Sequence, residues 1–235
     1  MVTEEPSEPG SPGSPGTADG SAEGTAAGAD PAERPARASA VATGRGDDGT
    51  TGLLFGGDRI PKDDLRTEAY GTLDEAGAAL GLARAELELK RQLDVLPPAL
   101  DQVATIILRI QRELFVAGAE LAANPAAWDR LHDDVTRVSA GMVAGIDALL
   151  EDYEARIAFP SEFVVPGETR TSAALELART VLRRAERRAV TLQRADLVPG
   201  AYLLPYLNRL ADLLWVLARA AEQAEARPAT TARGT

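Results

Sequence analysis

The chain has 235 residues, with 25 Lys and Arg against 36 Asp and Glu, a formal net charge of −11 and no cysteine. That length permits one domain and a tail. The lack of cysteine excludes disulfides, thiolate metal sites and a Cys nucleophile, and an acidic chain without a Lys/Arg-rich block has no footprint for DNA or RNA.

Residues 1–42 come first. They hold runs of Pro, Gly, Ser, Ala and Thr, as in Pro9-Gly-Ser-Pro-Gly-Ser-Pro-Gly16, with no aromatic residue or Leu to seed a core, so a disordered acidic tail is expected. Glu4, Glu5, Glu8, Asp19, Glu23, Asp30 and Glu33 against Arg34 and Arg37 give this tail −5, leaving −6 for the rest. The early glutamates oppose a transit peptide. No stretch approaches the roughly 18 apolar residues of a membrane span, and the expected location is cytoplasmic, with no membrane partner.

Between Gly44 and Arg59, six glycines stand among Asp47, Asp48, Thr50 and Thr51. Glycines let backbone N–H groups line an anion nest, and Arg59 and Lys62 follow as cations suited to a polyphosphate. A flexible linker is the alternative reading. No Gly-Lys-Ser/Thr follows at Walker spacing, so this is not a P-loop of that kind.

From Lys62 onward the period is helical and breakers divide five segments. They run from about Asp63 to Arg91, Pro98 to Asn124, Ala126 to Glu154, Thr171 to Gln193 and Pro205 to Ala226. A non-helical connection at Pro160 and Pro166 carries Phe159, Phe163, Val164 and Val165. In the fourth segment Ala178, Val181, Leu182, Ala185, Ala189 and Leu192 form an apolar stripe, matched by Leu207, Leu210, Leu214 and Leu217 in the fifth. Long helices with short connections predict an all-α fold, a five-helix antiparallel bundle over residues 43–227, with a disordered C-terminus at 228–235.

The fourth helix stacks Arg179, Arg183 and Arg187 in one row and Arg184 and Arg188 in another. Like charges at i, i+4 repel, so such rows call for acidic partners or an anionic ligand, unless they form only a solvated face. Glu186 and Glu176 are available partners, and Asp74 is a candidate anion from the first helix, although a surface acid is the commoner role. Asn208 and Asp212 share one face of the last helix. The one histidine, His132, lies among Arg130, Asp133 and Asp134 and is expected at the surface, which argues against a histidine-based site.

Six motifs occur in order: Thr-x-x-Gly-Asp-x-Gly-x-Thr (Thr43 to Thr51), Gly-Gly-x-Arg (Gly56 to Arg59), Ala-Tyr-Gly-x-x-Asp-Glu (Ala69 to Glu75), Phe-x-x-Pro-Gly (Phe163 to Gly167), Ala-Arg-Thr-Val-x-Arg-Arg-Ala-Glu-Arg (Ala178 to Arg187) and Tyr-Leu-Asn-Arg-Leu-x-Asp (Tyr206 to Asp212). Together they resemble the ATP:cob(I)alamin adenosyltransferases of the propanediol-utilisation type over about residues 43–222.

That resemblance implies a homotrimer with active sites between subunits, binding ATP, Mg²⁺ and cobalamin, and transfer of the 5′-deoxyadenosyl group of ATP to cob(I)alamin with release of tripolyphosphate. A reductase and a cobalamin-dependent acceptor enzyme are the further partners it implies. By position, Thr43, Gly46, Asp47, Gly49, Thr50, Thr51, Arg59 and Lys62 look like the ATP loop over 43–62, and Arg184, Glu186, Arg187 and Asn208 like further ATP contacts. Arg183 is similar to the arginine that engages the phosphates from which the adenosyl group is transferred. Asp74 and Arg179 resemble a salt bridge across the subunit interface, and Phe163 the aromatic residue on the lower axial face of the corrin. No protein metal ligand follows from it. Four positions depart from the pattern: Gly77 for Asn, Glu168 for Gly, Glu176 for His and Ala211 for Ser. They leave open a non-catalytic nucleotide- or cobalamin-binding module of the same fold.

Overall fold

The computed structural model describes residues 41–233, so the tail predicted over 1–42 lies outside the described residues except for its last two positions. Two units are distinguished, residues 1–44 and 45–235. Of the first, the described residues are 41–44, in which the Thr43 amide donates to the Val41 carbonyl at 3.0 Å.

The second unit is mostly helical. It contains α1 (Leu65–Gln92), α2 (Val103–Ala122), α3 (Ala140–Glu154), α4 (Arg170–Arg194) and α5 (Leu203–Ala224). Short 3₁₀ turns cover Pro98–Leu100 and Pro125–Arg130, and two two-residue strands, β1 (Thr50–Thr51) and β2 (Ile60–Pro61), pair antiparallel. Among the described residues no helix is long and apolar enough to cross a membrane.

Helix starts follow local chemistry. Asp64 caps α1 by accepting from the Arg66 amide at 2.9 Å. Thr169 and Ser172 form a capping box at α4, each side chain accepting from the other's amide, at 3.0 and 3.2 Å. Helix α1 packs on α2 and α4, α4 on α5, and α5 on α3. The shared core holds Leu73, Leu80, Ile107, Leu182, Leu210 and Leu214, all essentially without solvent contact. Each such side chain contributes about 1.5–3 kcal/mol relative to exposure.

The third predicted helix is corrected. Residues 131–139 are not helical, because the His132 carbonyl accepts from the amides of Val135, Thr136 and Arg137 and Asp134 adopts a φ of 66°. The helix begins only where Ser139 offers its hydroxyl oxygen to the Met142 amide at 3.1 Å. At the other end of the chain, residues 230–232 differ from the predicted disorder: Thr231 bridges Val164, the Val165 amide donates to Thr230 and the Ala232 amide to Phe163, both at 2.8 Å. The two extended segments exchange backbone bonds, a pairing that leaves no periodic signal in so short a stretch.

Candidate active site

The glycine loop is held by its own cations. Lys62 Nζ donates to the Gly46 carbonyl at 2.7 Å and its amide to Gly49 at 2.9 Å. Arg59 donates from Nε to the Thr50 hydroxyl at 2.7 Å, and from Nη2 to the carbonyls of Arg45 and Thr50 at 2.7 and 2.9 Å. Asp48 accepts from both the amide and the hydroxyl of Thr50, which holds its carboxyl below the usual range. Gly49 has a φ of 78°, a left-handed conformation open to glycine at little cost.

Further along, the loop is tied to α2. The Leu54 amide donates to Ala122 at 2.8 Å, the Asn124 amide returns to Leu54 at 3.0 Å, and Asn124 Nδ2 donates to Gly56 at 2.9 Å. Arg130 lies 4.4 Å from the Phe55 ring centre. These bonds hold the segment against α2, unlike a flexible linker.

On α4 the arginines separate by partner. Arg184 pairs with Glu75 and Arg188 with Glu68, at 3.0 Å, so the second row is neutralised by α1. Arg179 Nε donates to Glu176 at 2.7 Å. The guanidiniums of Arg183 and Arg187 are exposed and have no partner among the described residues. Asn208 Nδ2 donates to Glu186 at 3.2 Å, which joins α5 to α4 beside them.

The expected anion is corrected here. Within one chain Glu75, not Asp74, meets the arginine helix, because the 100° step between neighbouring helical positions turns Asp74 away. Asp74 is exposed and lines an apolar groove of about 690 Å³ between α1 and α2, together with Tyr70, Gly77, Leu114 and Phe115. Arg59 and Lys62 turn back onto their own loop rather than toward α4. His132 is exposed, as expected.

A second cavity, about 730 Å³, lies under the connection before α4 and brings together Phe163, Glu176, Arg179, Trp215 and Arg233. Phe163 is 88% exposed, an unusual state for a large aromatic ring, and its backbone is pinned by residues 230–232. Beneath Arg179, Glu176 also approaches Arg219 at 3.3 Å, and Arg219 pairs with Glu222 at 2.8 Å. Arg219 and Glu222 are each 1% exposed. Sequence reasoning missed both, along with Trp215 and Arg233 as cavity residues. The one available signal was that Arg219 and Glu222 interrupt the apolar face of α5.

Comparison with known proteins identifies the family. The family model for cobalamin adenosyltransferase matches residues 41–221. A corrinoid adenosyltransferase of Citrobacter freundii is 37% identical over 185 residues, covering 77% of this chain and 94% of its own. One from Mycobacterium tuberculosis is 39% identical over 183 residues, covering 77% and 88%. Among solved structures, a phenylalanine-to-alanine variant of a PduO-type ATP:corrinoid adenosyltransferase from Lactobacillus reuteri, complexed with cobalamin and ATP, superposes with a TM-score of 0.69 at 28% identity, over 82% of this chain and 98% of that one. An arginine-to-lysine variant complexed with ATP gives 0.68 at 25% identity, over 80% and 98%. By the family match and by these relatives, the chain belongs to the cobalamin adenosyltransferases.

Proposed function

We infer that this protein is a corrinoid adenosyltransferase that moves the 5′-deoxyadenosyl group of ATP to cob(I)alamin, giving adenosylcobalamin and tripolyphosphate. The observation that carries the residue assignments is the contrast on α4: three arginines are paired within the chain, while Arg183 and Arg187 stand exposed with no partner among the described residues. Two unpaired guanidiniums one helical turn apart suit a polyanion.

In the reaction, the cobalt(I) electron pair attacks C5′, a Co–C bond forms, and the C5′–O bond breaks with its electrons leaving on tripolyphosphate. Cobalt(I) is already a strong nucleophile, so the protein's part is alignment and charge neutralisation. Gly46, Asp47, Gly49, Thr50, Thr51, Arg59 and Lys62 form the triphosphate loop in this reading, with Thr43 at its start. Arg183, Arg184, Glu186, Arg187 and Asn208 form the opposite wall. Phe163, exposed at the mouth of its cavity, would cover the lower axial face of the corrin. Among the described residues no group of three Asp, Glu or His side chains gathers to hold a metal. Mg²⁺ would arrive on the nucleotide's own phosphates, where it supplies charge neutralisation.

The five helices read best as an antiparallel bundle that trimerises. Loop cations and α4 point to different surroundings within one chain, which favours a site completed by a neighbouring copy. Asp74 in its apolar groove and the free terminal nitrogens of Arg179 are suited to meet across that boundary. ATP as substrate suits a cytoplasmic setting, with a reductase upstream and a cobalamin-dependent enzyme downstream.

The test is anaerobic incubation with ATP, Mg²⁺ and chemically reduced cob(I)alamin, following the absorbance change to the adenosyl form over many turnovers. Conversion supports the enzyme. ATP or cobalamin binding without turnover would favour the non-catalytic module, whose motivating residues are Gly77, Glu168 and Glu176, the last of which lines the Phe163 cavity.

A further inference from the structure

Residues 230–232 lay an extended segment against the Phe163 connection, with Thr231 bridged antiparallel to Val164 and the Ala232 amide on the Phe163 carbonyl at 2.8 Å. Continued by one residue, that register sets Arg233 opposite Glu162, and both line the cavity of about 730 Å³ together with Trp215. Two charged side chains from distant parts of the chain are thus brought to one wall.

Of the two arginines in that wall, Arg179 is committed elsewhere. Its Nε donates to Glu176 at 2.7 Å, and in the trimeric reading its terminal nitrogens face Asp74 of a neighbouring copy. Arg233 is exposed and has no hydrogen-bond or ion-pair partner among the described residues. The carboxylates divide in the same way. Glu176 is spent on Arg179 and Arg219, whereas Glu162 Oε2 is buried with no donor among the described residues. A buried carboxylate oxygen in that state is unfavourable until a ligand supplies the missing donor.

The chemistry of the corrinoid says what such a wall could hold. A cobalamin with an aromatic ring on its lower axial face cannot keep its dimethylbenzimidazole on cobalt, yet that base stays tethered to the same face through a ribose and a phosphodiester. The displaced tail therefore needs room on the Phe163 side. Its three parts are an anion, a sugar with hydroxyl donors and an apolar aromatic base, and the cavity offers a counterpart to each: a free guanidinium, a carboxylate oxygen lacking a donor, and an indole. The cavity also lies within the roughly 300–1,000 Å³ of small-molecule sites.

We propose that the Phe163 cavity is a subsite for the displaced nucleotide tail of the corrinoid, with Arg233 on its phosphodiester, Glu162 on the ribose hydroxyls and Trp215 against the benzimidazole. The proposal rests on the corrinoid reading of Phe163. It asks nothing of Arg179 or Asp74, which stay with the subunit boundary.

The experiment is equilibrium titration of the full-length protein, with ATP present, against three cobalt(II) corrinoids: cob(II)alamin, cob(II)inamide phosphate, which keeps the phosphate but not the ribose or base, and cob(II)inamide, which lacks the whole tail. Binding is read by corrinoid absorbance. Wild type should bind the two phosphate-bearing ligands about tenfold more tightly than cob(II)inamide. Arg233→Ala should lose about that factor for those two ligands and stay within about twofold of wild type for cob(II)inamide, with Arg233→Lys recovering part of the loss. Glu162→Ala should weaken cob(II)alamin several-fold and leave cob(II)inamide unchanged, because the ribose is absent from it. The advantage of the phosphate-bearing ligands should shrink as salt is raised.

Equal loss for all three ligands in Arg233→Ala would overturn the proposal, since it would mark Arg233 as a brace of the Phe163 segment. If that variant fails to fold, Arg233→Gln removes the charge and keeps most of the stem, and the same ligand-selective loss is expected of it. A wild-type protein that binds all three corrinoids equally would overturn the proposal and leave the corrinoid reading standing. One that binds ATP but none of the three would overturn that reading and the proposal with it.

Discussion

Arg188 Nη2 lies 3.0 Å from Glu68 Oε2, and this ion pair, with that of Arg184 and Glu75, gives one row of α4 arginines to α1. Arg183 and Arg187 are thereby the members of the two rows without a partner among the described residues. Replacing Arg183 with Ala should lower kcat by about 10²-fold or more, because a cation facing the leaving triphosphate acts mainly in the transition state. The melting temperature should hardly move, since an exposed, unpaired side chain contributes within about 0.5 kcal/mol. Activity near wild type in a folded Arg183→Ala protein would remove this assignment, and Arg188→Ala serves as the control with its activity largely kept.

Gly46 is predicted to matter through Lys62 rather than through backbone strain. A Cβ at that position would lie 2.8 Å from Lys62 Nζ and 3.0 Å from its Cε, and so would push the ammonium off the Gly46 carbonyl. Gly46→Ala should raise the KM for ATP about tenfold, the scale of one displaced charge-assisted contact, with cob(II)alamin affinity unchanged. Separate titrations with the two substrates would settle it, and an equal loss for both would point to collapse of the loop.

Much of this was legible in the sequence for identifiable reasons. Helices α1, α2, α4 and α5 follow from the apolar stripes, the breakers at Pro97, Pro98, Pro125 and Pro166, and Pro205 in the first turn of α5, which act locally. The early start predicted for α3 failed because the turn at Asp134 depends on φ > 0 at a non-glycine residue, which composition does not announce. Pairing between 163–165 and 230–232 joins positions far apart in the chain, so no periodic pattern records it. The line from Glu222 to Arg179 was hidden likewise, since charges on two helices become one network only when those helices pack.

The pairing at Phe163 makes a second-site prediction. Ala232→Pro removes the amide that donates to the Phe163 carbonyl at 2.8 Å, and proline has no N–H to replace it. The Phe163 segment should then exchange its amide hydrogens faster, and the KM for cob(I)alamin should rise several-fold, about the effect of one lost hydrogen bond. ATP binding should be unaffected. Unaltered exchange at Phe163 to Val165 would show that residues 230–232 do not restrain this segment.

A pH-dependent contribution is expected from Glu120, which is 1% exposed and whose carboxylate accepts from the Val138 amide at 2.7 Å. Burial raises its pKa above the ordinary value of 4.5, and the Val138 bond only partly opposes that rise. A raised carboxyl binds its proton more tightly in the folded state than in the unfolded one. Its contribution to stability is therefore full below pH 4.5 and is lost as pH rises through the folded value. A tenfold difference in proton affinity between the two states corresponds to ~1.4 kcal/mol. Glu120→Gln has no proton to lose at this position and keeps an acceptor for Val138. Denaturant unfolding of both proteins at one concentration, from pH 4 to 7, should show wild type losing ground against the variant as pH rises. A difference that stays constant across that range would mean Glu120 titrates alike in both states, and that its buried setting is offset by contacts formed on folding.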